Sequence, residues 1–254
     1  MAYLERYRLY YDYMSRLHTH SQHFLRSPRL VHELVGHSNL RKNDLVYDLG
    51  AGSGVITSVL AQRCRQVVAV EVEPQALAKL RHNTGRYNNV EVVEQDIMTM
   101  PLPEGRYKIF SNIPFSLSSP IITRLATASS PPVAIYLIVQ RQFARKIVPS
   151  DQHFTSLLGA QLAPWWKARI RKPLKRTDFT PPPAVDTVLL ELRPHEEPLL
   201  PASEQAGYRD FVEQCYKSQT YFTSLGRAAA GIDPERKPSE LSPAQWVALY
   251  NYAK

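Results

Sequence analysis

Cysteine is scarce in this chain: there are two, Cys64 and Cys215, in 254 residues. They match neither a redox pair nor a Cys/His metal spacing, so both are expected to be reduced thiols and the disulfide-stapled class is set aside. Long apolar runs are missing as well. Nothing approaches the roughly 18–20 residues that span a bilayer, and the opening segment "MAYLERYRLYYDYMSRLHTHSQHFL" is polar throughout, with no secretory apolar region. A cytoplasmic protein without a membrane partner is the expectation. No internal repeat and no low-complexity tract is present. Ser-His-Asp order, H-E-x-x-H and Cys/His clusters are all absent, and the eight histidines show no ligand spacing. The sequence therefore signals no metal site and no hydrolytic triad.

What is present is positive charge. The formal charge is +8 with a pI near 9.5, which favours an anionic partner, nucleic acid first. A mildly basic enzyme gives the same sum, so distribution matters more than the total. Between Arg141 and Arg176 there are nine Lys or Arg and one acid, Asp151. Such a zone reads as a footprint rather than a uniform coat. Arg141, Arg145, Lys146, Lys167, Arg169, Lys172 and Lys175 are its candidate contacts to a nucleic-acid backbone, with a solvated face as the plainer alternative. Tyr3, Tyr7, Tyr10 and Tyr11, with Arg6, Arg8 and Arg16 between them, suggest a basic aromatic helix whose tyrosines pack on the main body.

From about residue 27 strands and helices alternate. Pro28 sits early in a helix running to about Val35. Strands are expected at Leu45–Leu49, Val67–Glu71, Val90–Val93, Tyr107–Phe110 and Val133–Val139. Helices are expected at Val55–Arg63, Pro74–Arg86 and Ile121–Ala126. Alternating units of this kind imply a mostly parallel sheet covered on both faces. Residues 165–172 and 187–192 read as a late strand pair joined by a Pro-rich loop, an antiparallel hairpin at one edge. The expected organisation is an extension over 1–20, an α/β domain over 21–194, and a small helical C-terminal domain over 195–254. Helices are expected there at about 205–217, 219–230 and 243–252, with too few apolar residues for a core of their own.

The first strand ends in "D-L-G-A-G-S-G", Asp48 to Gly54, and a helix follows. Gly50, Gly52 and Gly54 let the backbone turn sharply and approach a ligand. The spacing is G-x-G-x-G, not the dinucleotide G-x-G-x-x-G, and no second nucleotide-binding half follows. A ligand with one nucleoside and no pyrophosphate fits best. Glu71, about twenty residues on, can accept both hydroxyls of a ribose. Asp96 closes the third strand and can accept a proton from an adenine amino group. Asn112, in "S-N-I-P-F-S", closes the fourth. All fall at the carboxyl ends of strands, where open α/β sheets bind ligands.

These motifs, "D-L-G-A-G-S-G", "V-E-V-E-P", "E-Q-D-I" and "N-I-P-F", resemble in order and spacing the class I S-adenosylmethionine-dependent methyltransferases. With "S-Q-H-F-L", "F-T-P-P-P-A-V-D-T" and "Y-F-T-S-L-G-R-A-A-A-G-I-D", the chain resembles more closely the Erm family of 23S ribosomal RNA adenine-N6 methyltransferases. Ile113 and the "G-I-D" segment tilt the resemblance to Erm rather than to the sibling small-subunit dimethyltransferases. The resemblance implies a Rossmann-like, mostly parallel seven-stranded sheet, S-adenosylmethionine as cofactor, 23S RNA as partner, a monomer, and resistance to macrolide, lincosamide and streptogramin B antibiotics. It implies that Gly50 lies against the methionine part of the cofactor, that Glu71 holds the ribose and Asp96 the adenine, and that His23 and Leu25 also touch cofactor. His23 stands where the family motif has asparagine. Phe179 and the prolines at 181–183 resemble the loop bordering the target base.

The chemistry expected at "N-I-P-F" follows from the weakness of an exocyclic adenine amine, whose lone pair is delocalised into the ring. The Asn112 side-chain oxygen and the Ile113 carbonyl can accept its two N–H groups and draw the nitrogen toward tetrahedral geometry. Pro114 stiffens the turn, and Phe115 offers a face on which the base stacks. Asn112 lies close enough to the cofactor to touch it as well. Catalysis is then positioning of an amine in line with an activated donor, with the target base unstacked.

Overall fold

The computed structural model describes residues 23–149 and 155–254. The tyrosine-rich segment proposed as an N-terminal helix lies outside the described residues. Seven strands form one sheet: β2 (Leu45–Leu49), β3 (Gln66–Glu71), β4 (Val90–Glu94), β5 (Lys108–Ser111), β6 (Ala134–Gln140), β7 (Trp166–Leu174) and β9 (Thr187–Pro194). Their order is β4-β3-β2-β5-β6-β9-β7. The first five are parallel, and β9 and β7 add the antiparallel edge. A second, two-stranded sheet pairs β1 (Phe24–Leu25) with β8 (Phe179–Thr180).

The interior strand β6, Ala-Ile-Tyr-Leu-Ile-Val-Gln, shows why this chain makes a two-sided layer. Successive side chains alternate across a strand. Ile135, Leu137 and Val139 enter one apolar cluster; Ala134, Tyr136 and Ile138 enter the other. A strand buried on both faces reads as a continuous apolar run. On the second face lie α1 (Pro28–Gly36) and α2 (Val55–Arg63), carrying Val31, Leu34, Val59 and Leu60 into that core. Next comes α3 (Pro74–Thr84), whose first turn is capped by Glu73, accepting from the N–H groups of Gln75 and Ala76 at 3.0 and 2.6 Å.

The first face is covered by α4 (Ser118–Ala126), α5 (Arg141–Arg145), α6 (Leu157–Leu162), α7 (Gln205–Lys217), α8 (Gln219–Ser224) and α9 (Pro243–Ala253). Tyr208, Phe211, Phe222 and Trp246 of the C-terminal helices join Ile135, Leu137 and Leu190 of the sheet in one apolar cluster. The C-terminal segment packs on the sheet, as its shortage of apolar residues predicts. One helix is shorter than expected: α8 stops at Ser224, and residues 227–231 form turns. A Cβ at Gly226 would lie 2.1 Å from the Tyr252 ring, so a close approach to α9 overrides the helical preference of Ala228–Ala230. Both cysteines are free and buried, and burial pushes the Cys64 thiol up to about 11. Among the described residues no helix is long and apolar enough to cross a membrane.

Candidate active site

The strand order reverses between β2 and β5, and the sheet opens there. Only Val46↔Lys108 and Tyr47↔Ile109 are in register between the two strands. Beyond them the Leu49 N–H donates to the buried Ser111 Oγ at 2.7 Å, a side chain standing in for a backbone partner. The chain leaving β2 folds back at once. The N–H groups of Gly50 and Ala51 both donate to the Val70 carbonyl, at 2.8 and 3.0 Å. Gly52 and Gly54 have φ of +57° and +86°, backbone that an L side chain rarely adopts. A Cβ at Gly54 would lie 2.8 Å from Leu80 Cδ1, so α3 packs on the loop only because that residue is glycine. A Cβ at Gly52 would lie 3.0 Å from the Phe24 ring.

Glu71 organises this loop. One carboxylate oxygen accepts from the Gly52 N–H at 2.8 Å, and the other from Val72 and Glu73 at 2.8 and 2.9 Å. Three backbone donors therefore fix its position, leaving part of an ionised carboxylate's accepting capacity. Asp96 sits two residues past β4, half-buried, with Oδ1 accepting from the Met98 N–H at 2.7 Å. Asp48 lies beneath the loop. Its side chain is fully buried; Oδ2 accepts from the Thr57 hydroxyl at 2.7 Å, and Oδ1 has no partner among the described residues. Burial, reinforced by the negative Glu71, pushes the Asp48 carboxyl up to about 7 against the Thr57 bond.

Across the crevice, Asn112 follows β5. Its Nδ2 donates to the His23 carbonyl at 2.6 Å. A carbonyl only accepts, so this bond fixes which way the amide faces: nitrogen toward His23, oxygen away. Asn112 Oδ1 is buried and has no partner among the described residues. The Ile113 side chain is buried in the core, anchoring the turn. Pro114 has φ −56° and ψ 129°, and its carbonyl accepts from the Leu117 N–H at 2.9 Å. Phe115 begins a short 3-10 turn, half-buried, its ring centroid 5.5 Å from that of His23 with a 31° tilt.

The structure thus brings together Gly50, Gly52, Glu71, Asp96, Asn112, Ile113, Pro114 and Phe115 at the carboxyl ends of four parallel strands. His23 and Leu25 arrive from β1. Leu25 is buried opposite Phe179. The His23 ring lies beside Phe115, and its Nδ1 is 2.8 Å from the Pro181 carbonyl. Phe179 needs correction as an RNA contact. It is fully buried in the second core, because pairing with β1 turns its ring inward.

The basic zone is divided as well. Arg141, Arg145, Lys146 and Lys175 lie at or beyond the site ends of β6 and β7. Lys167 and Arg169 lie toward the far end of β7, opposite Arg193 and Glu191. Eight extended residues separate Lys167 from Lys175, roughly 26 Å. Lys172 is turned aside in an ion pair with Glu33. Three participants carried weaker signals in the sequence. Phe24 roofs Gly52 and is 40% exposed, unusual for so apolar a residue. Asp48 is a carboxylate inside an apolar strand, a pattern that itself flags a special position. Ser111 is revealed only by the bond to Leu49.

A glycine turn open to close backbone approach, flanked by carboxylates at successive strand ends and facing an amide oxygen without a partner among the described residues, fits a nucleoside-bearing methyl donor on one side and an amine on the other. Comparison with known proteins agrees. A family model described as "Ribosomal RNA adenine dimethylase" matches residues 15–254. An rRNA adenine N-6-methyltransferase of Bacillus anthracis is 27% identical over 243 residues, covering 91% of this chain and 84% of the relative. Ribosomal RNA small subunit methyltransferase A of Gloeobacter violaceus is 28% identical over 255 residues, covering 94% and 93%. The crystal structure of the 23S rRNA methyltransferase ErmE superposes with a TM-score of 0.78 at 26% identity, covering 90% of this chain and 98% of that one. The sheet is accordingly a class I methyltransferase sheet with S-adenosylmethionine as cofactor, and the chain belongs to the ribosomal RNA adenine dimethylase family, enzymes that methylate an rRNA adenine at N6.

Proposed function

We propose that this enzyme methylates N6 of an adenine in 23S ribosomal RNA and so confers macrolide, lincosamide and streptogramin B resistance, acting in the cytoplasm as a monomer. The observation that carries the chemistry is Asn112 Oδ1, buried and without a partner among the described residues, close to Phe115 in the chain. The likeness to ErmE supports the large-subunit target. S-adenosylmethionine supplies an electrophilic methyl on a sulfonium. The protein does the rest by placement. Gly50 and Gly52 give the donor close access to the backbone, with Glu71 holding its ribose and Asp96 its adenine. Asn112 Oδ1 and the Ile113 carbonyl accept the two N–H groups of the target amine, which draws the nitrogen toward tetrahedral geometry and its lone pair out of conjugation with the ring. Phe115 stacks the flipped base, and its half-buried position leaves a face for that contact. Arg141, Arg145, Lys146 and Lys175, at the same end of the sheet, track the RNA backbone.

The test is labelled S-adenosylmethionine with protein-free 23S and 16S RNA, read by digestion to nucleosides. N6-methylated adenosine in 23S RNA is expected. Label in 16S RNA alone would overturn the large-subunit assignment, and a sensitive bacterium expressing the chain should survive erythromycin.

A further inference from the structure

The two-residue pairing of β1 with β8 sets Phe24 opposite Thr180. The next pair outward is His23 and Pro181. Proline has no N–H to donate, so an ordinary ladder loses a donor there. The His23 carbonyl is met by Asn112 Nδ2 instead, and the His23 ring meets the other side of the pair: Nδ1 lies 2.8 Å from the Pro181 carbonyl. That oxygen only accepts, so Nδ1 carries the hydrogen. The same ring lies 5.5 Å from the Phe115 ring. Two rings that close leave no room for a third between them, since each face-to-face contact needs about 3.5 Å. The target base therefore stacks on the outer side of Phe115, with the imidazole bracing the inner side.

From this geometry we infer that His23 is a positioning residue for the target base: its imidazole latches the segment from Pro181 onward against the turn carrying Phe115, so that the pocket wall is in place before RNA arrives. The inference rests on the adenine-methyltransferase reading and assigns His23 to the base side of the site, not to the cofactor. The imidazole serves two contacts at once, the Pro181 carbonyl and the Phe115 ring.

The experiment compares wild type with His23→Ala, His23→Phe and His23→Asn, measuring KM for RNA, kcat, and cofactor affinity by calorimetry. His23 is half-exposed, so these replacements leave the fold intact. His23→Ala and His23→Phe should each raise the KM for RNA about three- to tenfold, the effect of one neutral hydrogen bond, while cofactor affinity and kcat stay near wild type. His23→Asn sets an amide N–H near the position of Nδ1 and should restore most of the loss. Weakened cofactor binding with unchanged KM for RNA would overturn the latch in favour of a cofactor contact. A wild-type KM in His23→Phe would overturn it too. If the wild type labels 16S rather than 23S RNA, the subunit assignment falls, and the latch is judged by the same ratios on that RNA. Label in neither RNA overturns both.

Discussion

Replacing Asn112 by alanine removes an acceptor and a tether together, and the acceptor dominates the kinetics. As the methyl moves, the amine nitrogen gains positive charge, and its N–H groups become charge-assisted donors. Hydrogen bonds to charged groups contribute about 1.5–3 kcal/mol. At about 1.36 kcal/mol per tenfold in rate, losing the Oδ1 acceptor slows turnover about 10- to 150-fold. Losing Nδ2 leaves the His23 carbonyl, which it meets at 2.6 Å, without that partner, a stability loss of about 1 kcal/mol. Cofactor affinity should change little, because the glycine loop, Glu71 and Asp96 remain. Single-turnover transfer from labelled cofactor to an RNA fragment, with calorimetry of cofactor binding alongside, separates these effects. Asn112→Asp is the informative partner: it keeps an acceptor but sets a second oxygen against the His23 carbonyl, so its rate should fall between alanine and wild type. Turnover near wild type in Asn112→Ala would refute the acceptor role.

Phe115→Ala should raise the KM for RNA by the loss of one base–aromatic stack, about 1–3 kcal/mol, whereas Phe115→Tyr keeps the stack; steady-state assays giving equal KM values for the two would remove stacking from the account. Asp48 predicts a pH effect on stability. Its folded value of about 7 exceeds the roughly 3.9 of an unfolded aspartate, so the folded chain holds the proton more tightly across that window. Stability should therefore fall as pH rises from about 4 to 7. Asp48→Asn abolishes this slope; at pH 8, after the cost of a buried unpaired N–H, it should be more stable than wild type by about 1–3 kcal/mol. Urea unfolding at pH 5 and 8 reads the difference, and parallel pH dependence in the two proteins would refute it.

Much of the site was legible because its signals are local. The glycine loop, Glu71, Asp96 and "N-I-P-F" each sit at a strand end whose apolar pattern announces it, and parallel topology then forces those ends together. What was not legible depends on distant pairing. Phe179 looks like a loop aromatic in "D-F-T-P-P-P"; only the two-residue partner strand at Phe24–Leu25, some 150 residues away in sequence, turns it inward. The basic zone is continuous as text, but an extended β7 stretches it along a sheet edge and divides it. The depth of Asp48 follows from helices on both faces of β2, and the early end of α8 from one tyrosine against Gly226.

The bond from Asn112 to residue 23 is made to a main-chain carbonyl, and this separates what evolution can change from what it must keep. Any amino acid at position 23 supplies that oxygen, so the facing of the Asn112 amide is inherited with the path of the chain. The side chain at 23 is thereby released for another task. A histidine can stand there as well as any other residue, and the position becomes a dial for substrate grip that leaves the chemical step untouched.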